Sequence, residues 1–190
     1  MSIKRLLSNL LLLGFYIGMA QSSKKPNILF IMSDDHTSTA IGAYGGRLAK
    51  LNPTPTIDQL ASEGMLLENT FCNNSICSPS RATILTGQYS SINGVTGLGG
   101  KLPKEKQYLP IELKKAVYET AVIGKWHIGT LPLAFDYYKV MHSQGNYFNP
   151  IFTEKGEAVK EYKYGKKTEK GTIQIKGHSS DVIASSGIDW

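Results

Sequence analysis

Pro26-Asn27-Ile28-Leu29-Phe30-Ile31-Met32-Ser33-Asp34-Asp35-His36 is the stretch that decides the fold class. Ile28 to Met32 are apolar without a break, so the run lacks the alternation of a strand with one wet face. A continuous run opened by Pro-Asn reads as a strand buried on both faces, the pattern of a parallel sheet. It ends on two acids and a histidine, and charge at the exit of a buried strand is costly unless something uses it. Residues 37–55 hold Gly42, Gly45, Gly46, Pro53 and Pro55 and read as loop. Thr56 with Gln59 three residues on forms a capping box that starts a helix, and Gly64 stops it. Residues 65–72 are expected to return as a strand. Strand, helix, strand predicts an α/β layer.

The next turn carries the chemistry. Ser78 can cap a helix, Pro79 suits its first position, and residues 81–86 continue it to Gly87. Cys77 then lies just before a helix N-terminus, where backbone N–H groups and the helix dipole favour an anion. Residues 88–108 are glycine-rich and irregular. A helix is expected over 110–119, with Ile111, Leu113, Ala116 and Val117 as its apolar positions, and a short strand over 121–124. Lys125-Trp126-His127 follows at its exit. Beyond Asp136 the pattern breaks into short strands and turns. A last helix begins near Ser179 or Ser180, with Val182 and Ile183 as its first apolar pair and Gly187 as a weak stop. The sequence has no internal repeat. Three strand exits thus carry polar groups: Asp34-Asp35, Cys77 with Arg81, and Lys125 with His127. Open α/β sheets bind ligands at the carboxyl ends of their strands, so these groups are expected to converge on one sheet edge.

Composition sets the surroundings. The 190 residues are 41% apolar and 19% charged, which suits a globular domain with a real core. The formal charge is +6, of which Lys4 and Arg5 supply two. Lys160, Lys163, Lys166, Lys167 and Lys170 crowd one polar stretch that reads as a solvated hairpin or loop. Basic and aromatic residues do not interleave as nucleic-acid binding demands, so no nucleic-acid partner is expected. Lys4-Arg5, an apolar segment to Met19, and small Gly18 and Ala20 form a signal peptide cleaved after Ala20. That segment is too short for a comfortable membrane span, so no stable membrane insertion is expected. The organisation predicted is residues 1–20 signal peptide, 21–25 leader and 26–190 catalytic domain, with export to the periplasm or the extracellular space. Cys72 and Cys77 are too close to make a useful staple. Cys72 is expected to pack as a small apolar residue at its strand end.

Asp34 and Asp35 offer hard oxygen ligands of the kind Ca²⁺ takes, although Ca²⁺ wants more than two. His36 either lines the site or packs. Cys77 at a helix start should be a reactive thiol, and Arg81 offers a forked, permanent cation for a tetrahedral oxyanion. The spacing excludes the Cys-x5-Arg loop of thiol phosphatases. Taken alone, Cys77 also suits a buried cysteine in a tight turn, and Lys125 and His127 also suit a surface turn.

Cys77-Ser78-Pro79-Ser80-Arg81, followed by Ala82-Thr83-Ile84-Leu85-Thr86-Gly87, resembles the signature of type I sulfatases. Pro26 to Phe30 with Asp34-Asp35 resembles that family's first strand and metal acids. Residues 56–61 with Gly64 resemble its first long helix, and Gly124-Lys125-Trp126-His127 its second signature. Gly145 to Pro150 and Ser180 to Trp190 resemble it more weakly, and bacterial glycan sulfatases of the N-acetylglucosamine-6-sulfatase kind come nearest. The resemblance implies an alkaline-phosphatase-like α/β core, a mostly parallel sheet sandwiched by helices, incomplete in this chain. It implies that a maturation enzyme oxidises Cys77 to formylglycine, whose hydrate attacks sulfur in line, releases the alcohol and then expels sulfate. It further implies Ca²⁺ on Asp34, Asp35 and the oxidised Cys77 as Lewis acid and template. Arg81 would then hold the diol oxygens, Lys125 would neutralise the sulfate in flight, and His127 would take the proton in the elimination.

The family draws further metal ligands, a second histidine and a second lysine from later sequence, and His142 and His178 do not sit in that context. The chain alone is therefore expected to be inactive and poorly soluble. The substrate implied is a sulfated glycan or a small sulfate ester. The alternatives are a phosphatase or phosphonate monoester hydrolase of the same superfamily, and a non-catalytic glycan-binding remnant.

Overall fold

The computed structural model describes residues 25–141, 143–156 and 172–190. The signal-peptide segment, His142 and the lysine-rich stretch lie outside the described residues. The chain divides into two units, Met1–Thr37 and Ser38–Trp190.

In the first unit, residues 25–37 form neither helix nor strand. Ile28 to Ile31 are exposed, Leu29 by 85%. The buried strand expected at 28–32 is therefore absent. A strand buried on both faces needs ladder partners at both edges and cover above and below, and residues 25–37 hold no second strand.

The second unit opens with three single 3₁₀ turns, Ser38–Ala40, Gly42–Tyr44 and Ala49–Leu51, in the stretch read as loop. Helix α1 runs Pro55–Glu63, two residues earlier than a capping box on Thr56 predicts. Thr54 stands at its N-cap, with Pro55 in the first position. Gln59 does not close a box on Thr56 but donates to Glu63, 2.8 Å away. Asp58 instead ties the helix to the preceding turn. Its Oδ1 accepts from the Ala43 N–H at 2.8 Å and from Thr54 Oγ1 at 3.0 Å, while the Gly42 N–H donates to Thr54 Oγ1 at 2.9 Å. The fit is close enough that a Cβ on Gly42 would lie 2.0 Å from Asp58 Oδ2. Gly42→Ala should therefore evict the Asp58 carboxylate, at about 1–3 kcal/mol. A lower urea midpoint checks this, and an unchanged midpoint would show that the clamp carries no stability.

Residues 65–72 form no strand either; Met65 and Leu67 are exposed, and Phe71 by 91%. Cys72 is accordingly exposed, not packed at a strand end, and both cysteines are free. Helix α2, Cys77–Thr86, ends where expected. Gly87 adopts φ 65° and returns its N–H to Thr83 O at 2.8 Å, the left-handed cap that glycine favours. Short α3 (Ser90–Asn93) and α4 (Tyr108–Lys115) follow.

The sheet comprises β1 (Ala121–Lys125), β2 (Tyr137–Met141), β3 (Ile151–Glu154) and β4 (Thr172–Gln174), in that spatial order. β1 and β2 are parallel; β2–β3 and β3–β4 are antiparallel. The α/β class stands, and the described part of the sheet is mixed. The parallel crossover, residues 126–136, contains no helix. It makes its own layer by burying Trp126, Ile128, Ala134 and Phe135. Buried Gln107 pins it, donating to Leu131 O at 2.9 Å and accepting from the Ala134 N–H at 3.2 Å. Asp136 closes its base, accepting from Thr120 N and Oγ1 at 2.9 and 2.8 Å and pairing with Lys114 at 2.7 Å. The Lys114 bond foremost, then those from Thr120, hold the Asp136 carboxyl below its ordinary range against an opposing desolvation.

Two apolar clusters flank the strands. Ala82 and Leu85 of α2, Trp126, Ile128 and Phe135 of the crossover, and Tyr138 and Val140 of β2 form the larger one. Met141, Phe152 and Val182 form the smaller, the last from helix α5, Ser179–Asp189. α5 starts where expected and passes through Gly187 without stopping. Burial, and next the Glu154 carboxylate that its hydroxyl donates to, push Tyr137 up to about 12, so this donor stays protonated at neutral pH.

Candidate active site

Cys77 is the first residue of α2, with extended Ile76 as its N-cap. The helix thus starts one residue before the Ser78 cap expected from sequence. The Asn73-Asn74 pair shapes the approach. Asn74 Oδ1 accepts from the Ile76 N–H at 3.2 Å, an Asx turn leading into the helix. Asn73 Oδ1 accepts from Ser90 N and Oγ at 2.9 and 2.8 Å, which fastens the approach to α3. Paired asparagines just before a helix are a legible turn signal, and they pass easily for generic loop.

Ser78 is fully buried, and its hydroxyl does not cap the helix. It donates to the carbonyl oxygen of His127 at 2.7 Å. Arg81, one turn on, donates from Nη1 to the carbonyl oxygen of Lys125. Residues 78 and 81 lie three apart and so share one helix face, and that face is fastened to the exit of β1. The half-buried Cys77 is carried to the same place. Two of the three expected clusters, Cys77 with Arg81 and Lys125 with His127, are therefore one assembly, although 44 to 49 residues separate their hydrogen-bond partners.

His127 is fully buried and has φ 53°. A left-handed conformation is unusual for a residue with a Cβ and costs on the order of 1–3 kcal/mol unless the surroundings enforce it. They do so here: Ser78 holds its carbonyl, and on either side the Trp126 indole N–H donates to Thr130 O and the Leu102 N–H to Ile128 O. The result is a braced turn whose Lys125 and His127 carbonyl oxygens accept from Arg81 and Ser78 of α2, the helix that begins at Cys77.

Asp34 and Asp35 belong to the first unit, and both are exposed, as is His36. His36 therefore does not pack into a core. Asp35 also has a left-handed backbone, φ 53°. Two adjacent exposed carboxylates match the hard-oxygen chemistry of Ca²⁺ in kind, but a full shell takes six to eight oxygens. Among the described residues no group of three or more His, Cys, Asp or Glu side chains comes together to hold a metal. No described helix is long and apolar enough to cross a membrane.

The family model for sulfatases matches residues 26–190. An N-acetylglucosamine-6-O-sulfatase of Bacteroides thetaiotaomicron is 37% identical over 173 residues, 90% of this chain and 28% of the relative. The N-acetylgalactosamine-6-sulfatase of Homo sapiens is 36% identical over 129 residues, 61% of this chain and 24% of the relative. Among solved structures, BT4656 in complex with its substrate D-glucosamine-2-N,6-O-disulfate superposes with a TM-score of 0.76 at 37% identity, over 87% of this chain and 31% of that one. The chain spans less than a third of the length of each of these proteins. Its fold is that of sulfatases, the alkaline-phosphatase-like α/β arrangement.

Proposed function

This chain belongs to the sulfatase family, and from that premise we propose that it carries the nucleophile-bearing part of a hydrolase that removes sulfate from a sulfated carbohydrate. The observation that carries the reading is the docking of α2 on the β1 exit through Ser78 and Arg81. That docking brings the backbone of Lys125 and of the buried His127 onto the helix that begins with Cys77 in the Cys-x-Pro-x-Arg pattern. Oxidation of Cys77 by a maturation enzyme would supply the covalent nucleophile. Arg81 would fix the oxygens at that position, being itself fixed by the Lys125 carbonyl. Lys125 would neutralise charge on the sulfate, and His127 would accept a proton, its ring held by a backbone that has little freedom to move.

Asp34 and Asp35 would hold part of a Ca²⁺ shell that takes further oxygen ligands, and a bound Ca²⁺ would supply Lewis-acid chemistry toward a sulfate oxygen. The signal-peptide pattern supports export, which suits a polymeric, external substrate. The relatives that act on 6-sulfated amino sugars support a sulfated glycan over a small ester, and this chain alone is expected to be inactive.

The test uses the whole protein, produced together with a maturation enzyme and assayed on 4-nitrophenyl sulfate and 4-nitrophenyl phosphate. Sulfate turnover that exceeds phosphate turnover, and that is lost on chelation and in Asp35→Asn, is the expected result. Preference for the phosphate would replace the reading with the phosphatase or phosphonate hydrolase alternative. Absence of both activities would leave a glycan-binding remnant.

A further inference from the structure

The strand register places a second set of groups on the sheet edge that carries the active-site assembly. Lys125, the last residue of β1, pairs with Met141, the last of β2, and Met141 pairs with Phe152 near the start of β3. Ile151 pairs with Gln174, the last residue of β4. The ends of β1, β2 and β4 and the beginning of β3 therefore line one edge. From it rise the segment up to residue 150, which carries Tyr147 and Phe148, and the segment after β4, which carries Lys176 and His178.

Tyr147, Phe148 and the half-buried His178 pack as one group of rings, and Lys176 lies two residues before His178 in the chain. The His178 ring lies near-parallel to Tyr147, with centroids 6.4 Å apart and planes 24° apart, and meets Phe148 edge to face at 5.2 Å. Tyr147 is nevertheless 79% exposed and Phe148 69%, and Lys176, on the segment that leads to His178, is exposed as well. The backbone beneath is rigid. The Ser179 N–H donates to Tyr147 O at 2.7 Å, the Asn149 N–H to Gly177 O at 2.8 Å, and the Gly177 N–H to Asn149 Oδ1 at 3.1 Å. Large aromatic rings held in the open by such a network are anchors whose apolar faces are available to a ligand.

We propose that Tyr147, Phe148, His178 and Lys176 form a saccharide subsite that binds a sugar ring of the substrate chain away from the scissile sulfate. Pyranose rings present a face of C–H bonds that stacks on aromatic rings, and sulfated sugars add anions for Lys176. The subsite stands two to three strand spacings from the β1 exit, about 10–15 Å. That is the span of a short run of sugar rings, so it would be reached by an oligosaccharide and not by a monosaccharide. The inference rests on the glycan-sulfatase reading above.

The experiment uses the whole, matured protein and three substrates: 4-nitrophenyl sulfate, glucosamine 6-sulfate, and a tetrasaccharide ending in 6-sulfated glucosamine. Tyr147→Ala and Phe148→Ala should each raise KM for the tetrasaccharide about tenfold, the size of one lost aromatic contact. Turnover of the two small substrates should be unchanged, and Tyr147→Phe, which keeps the ring, should keep the wild-type KM. An unchanged tetrasaccharide KM with aryl sulfate turnover intact would overturn the subsite and leave the sulfatase reading standing. An equal fall on all three substrates would also overturn it, making the rings structural. A wild-type protein that hydrolyses no sulfate ester would remove the reading beneath it.

Discussion

Cys77→Ala in the whole protein is expected to lower kcat for sulfate esters by about four orders of magnitude or more, the range seen when a covalent nucleophile is removed. The substitution should leave the fold in place. Cys77 is half-buried, α2 keeps its Ile76 N-cap, and the two bonds that dock the helix come from Ser78 and Arg81. The informative comparison is kcat against the denaturation midpoint. A lost kcat with an unchanged midpoint assigns the effect to chemistry. A variant that keeps its activity would show that the Cys-x-Pro-x-Arg stretch is only a tight turn with a cysteine in it.

Arg81→Lys is expected to lower kcat by about a hundredfold, comparable to removing an oxyanion-stabilising donor. The exchange keeps the charge and loses the fork. Arg81 uses Nη1 on the Lys125 carbonyl, and the planar guanidinium fixes its remaining donors once that bond is made. A lysine has one rotatable ammonium and cannot hold the carbonyl and the reacting oxygens in the same fixed geometry. Measured kcat and KM for 4-nitrophenyl sulfate check this, with the loss falling mainly on kcat. A fall confined to KM would make Arg81 a ground-state binding residue.

How far the sequence spoke for itself depends on how local each signal was. Gly87 and the Ser179 helix start were legible because caps and stops act within one turn, and the strand at Ala121–Lys125 because a short apolar run between a helix and a charged exit has few other readings. The run at 28–32 has the composition of a buried strand, and 65–72 reads as a strand after a helix. Whether they pair, however, depends on neighbours far away in the chain, and neither is a strand among the described residues. Ser78 shows the same limit at the site. By pattern it is a helix cap, whereas in the fold its hydroxyl reaches the His127 carbonyl, 49 residues on. The union of Cys77 and Arg81 with Lys125 and His127 was predictable from the rule that ligands gather at strand ends, but the bonds that make it were not. The mixed direction of the sheet is not legible in the sequence, because strands of three to five residues leave direction unspecified.

The most direct test of the central claim is the mass of the tryptic peptide that ends at Arg81, taken from the whole protein made in its native host. Oxidation of Cys77 exchanges sulfur and two hydrogens for one oxygen, and the account predicts that mass, with an aldehyde that reacts with hydrazides. A peptide that retains an unmodified, alkylatable Cys77 thiol would contradict the account and leave a sulfatase fold without its nucleophile.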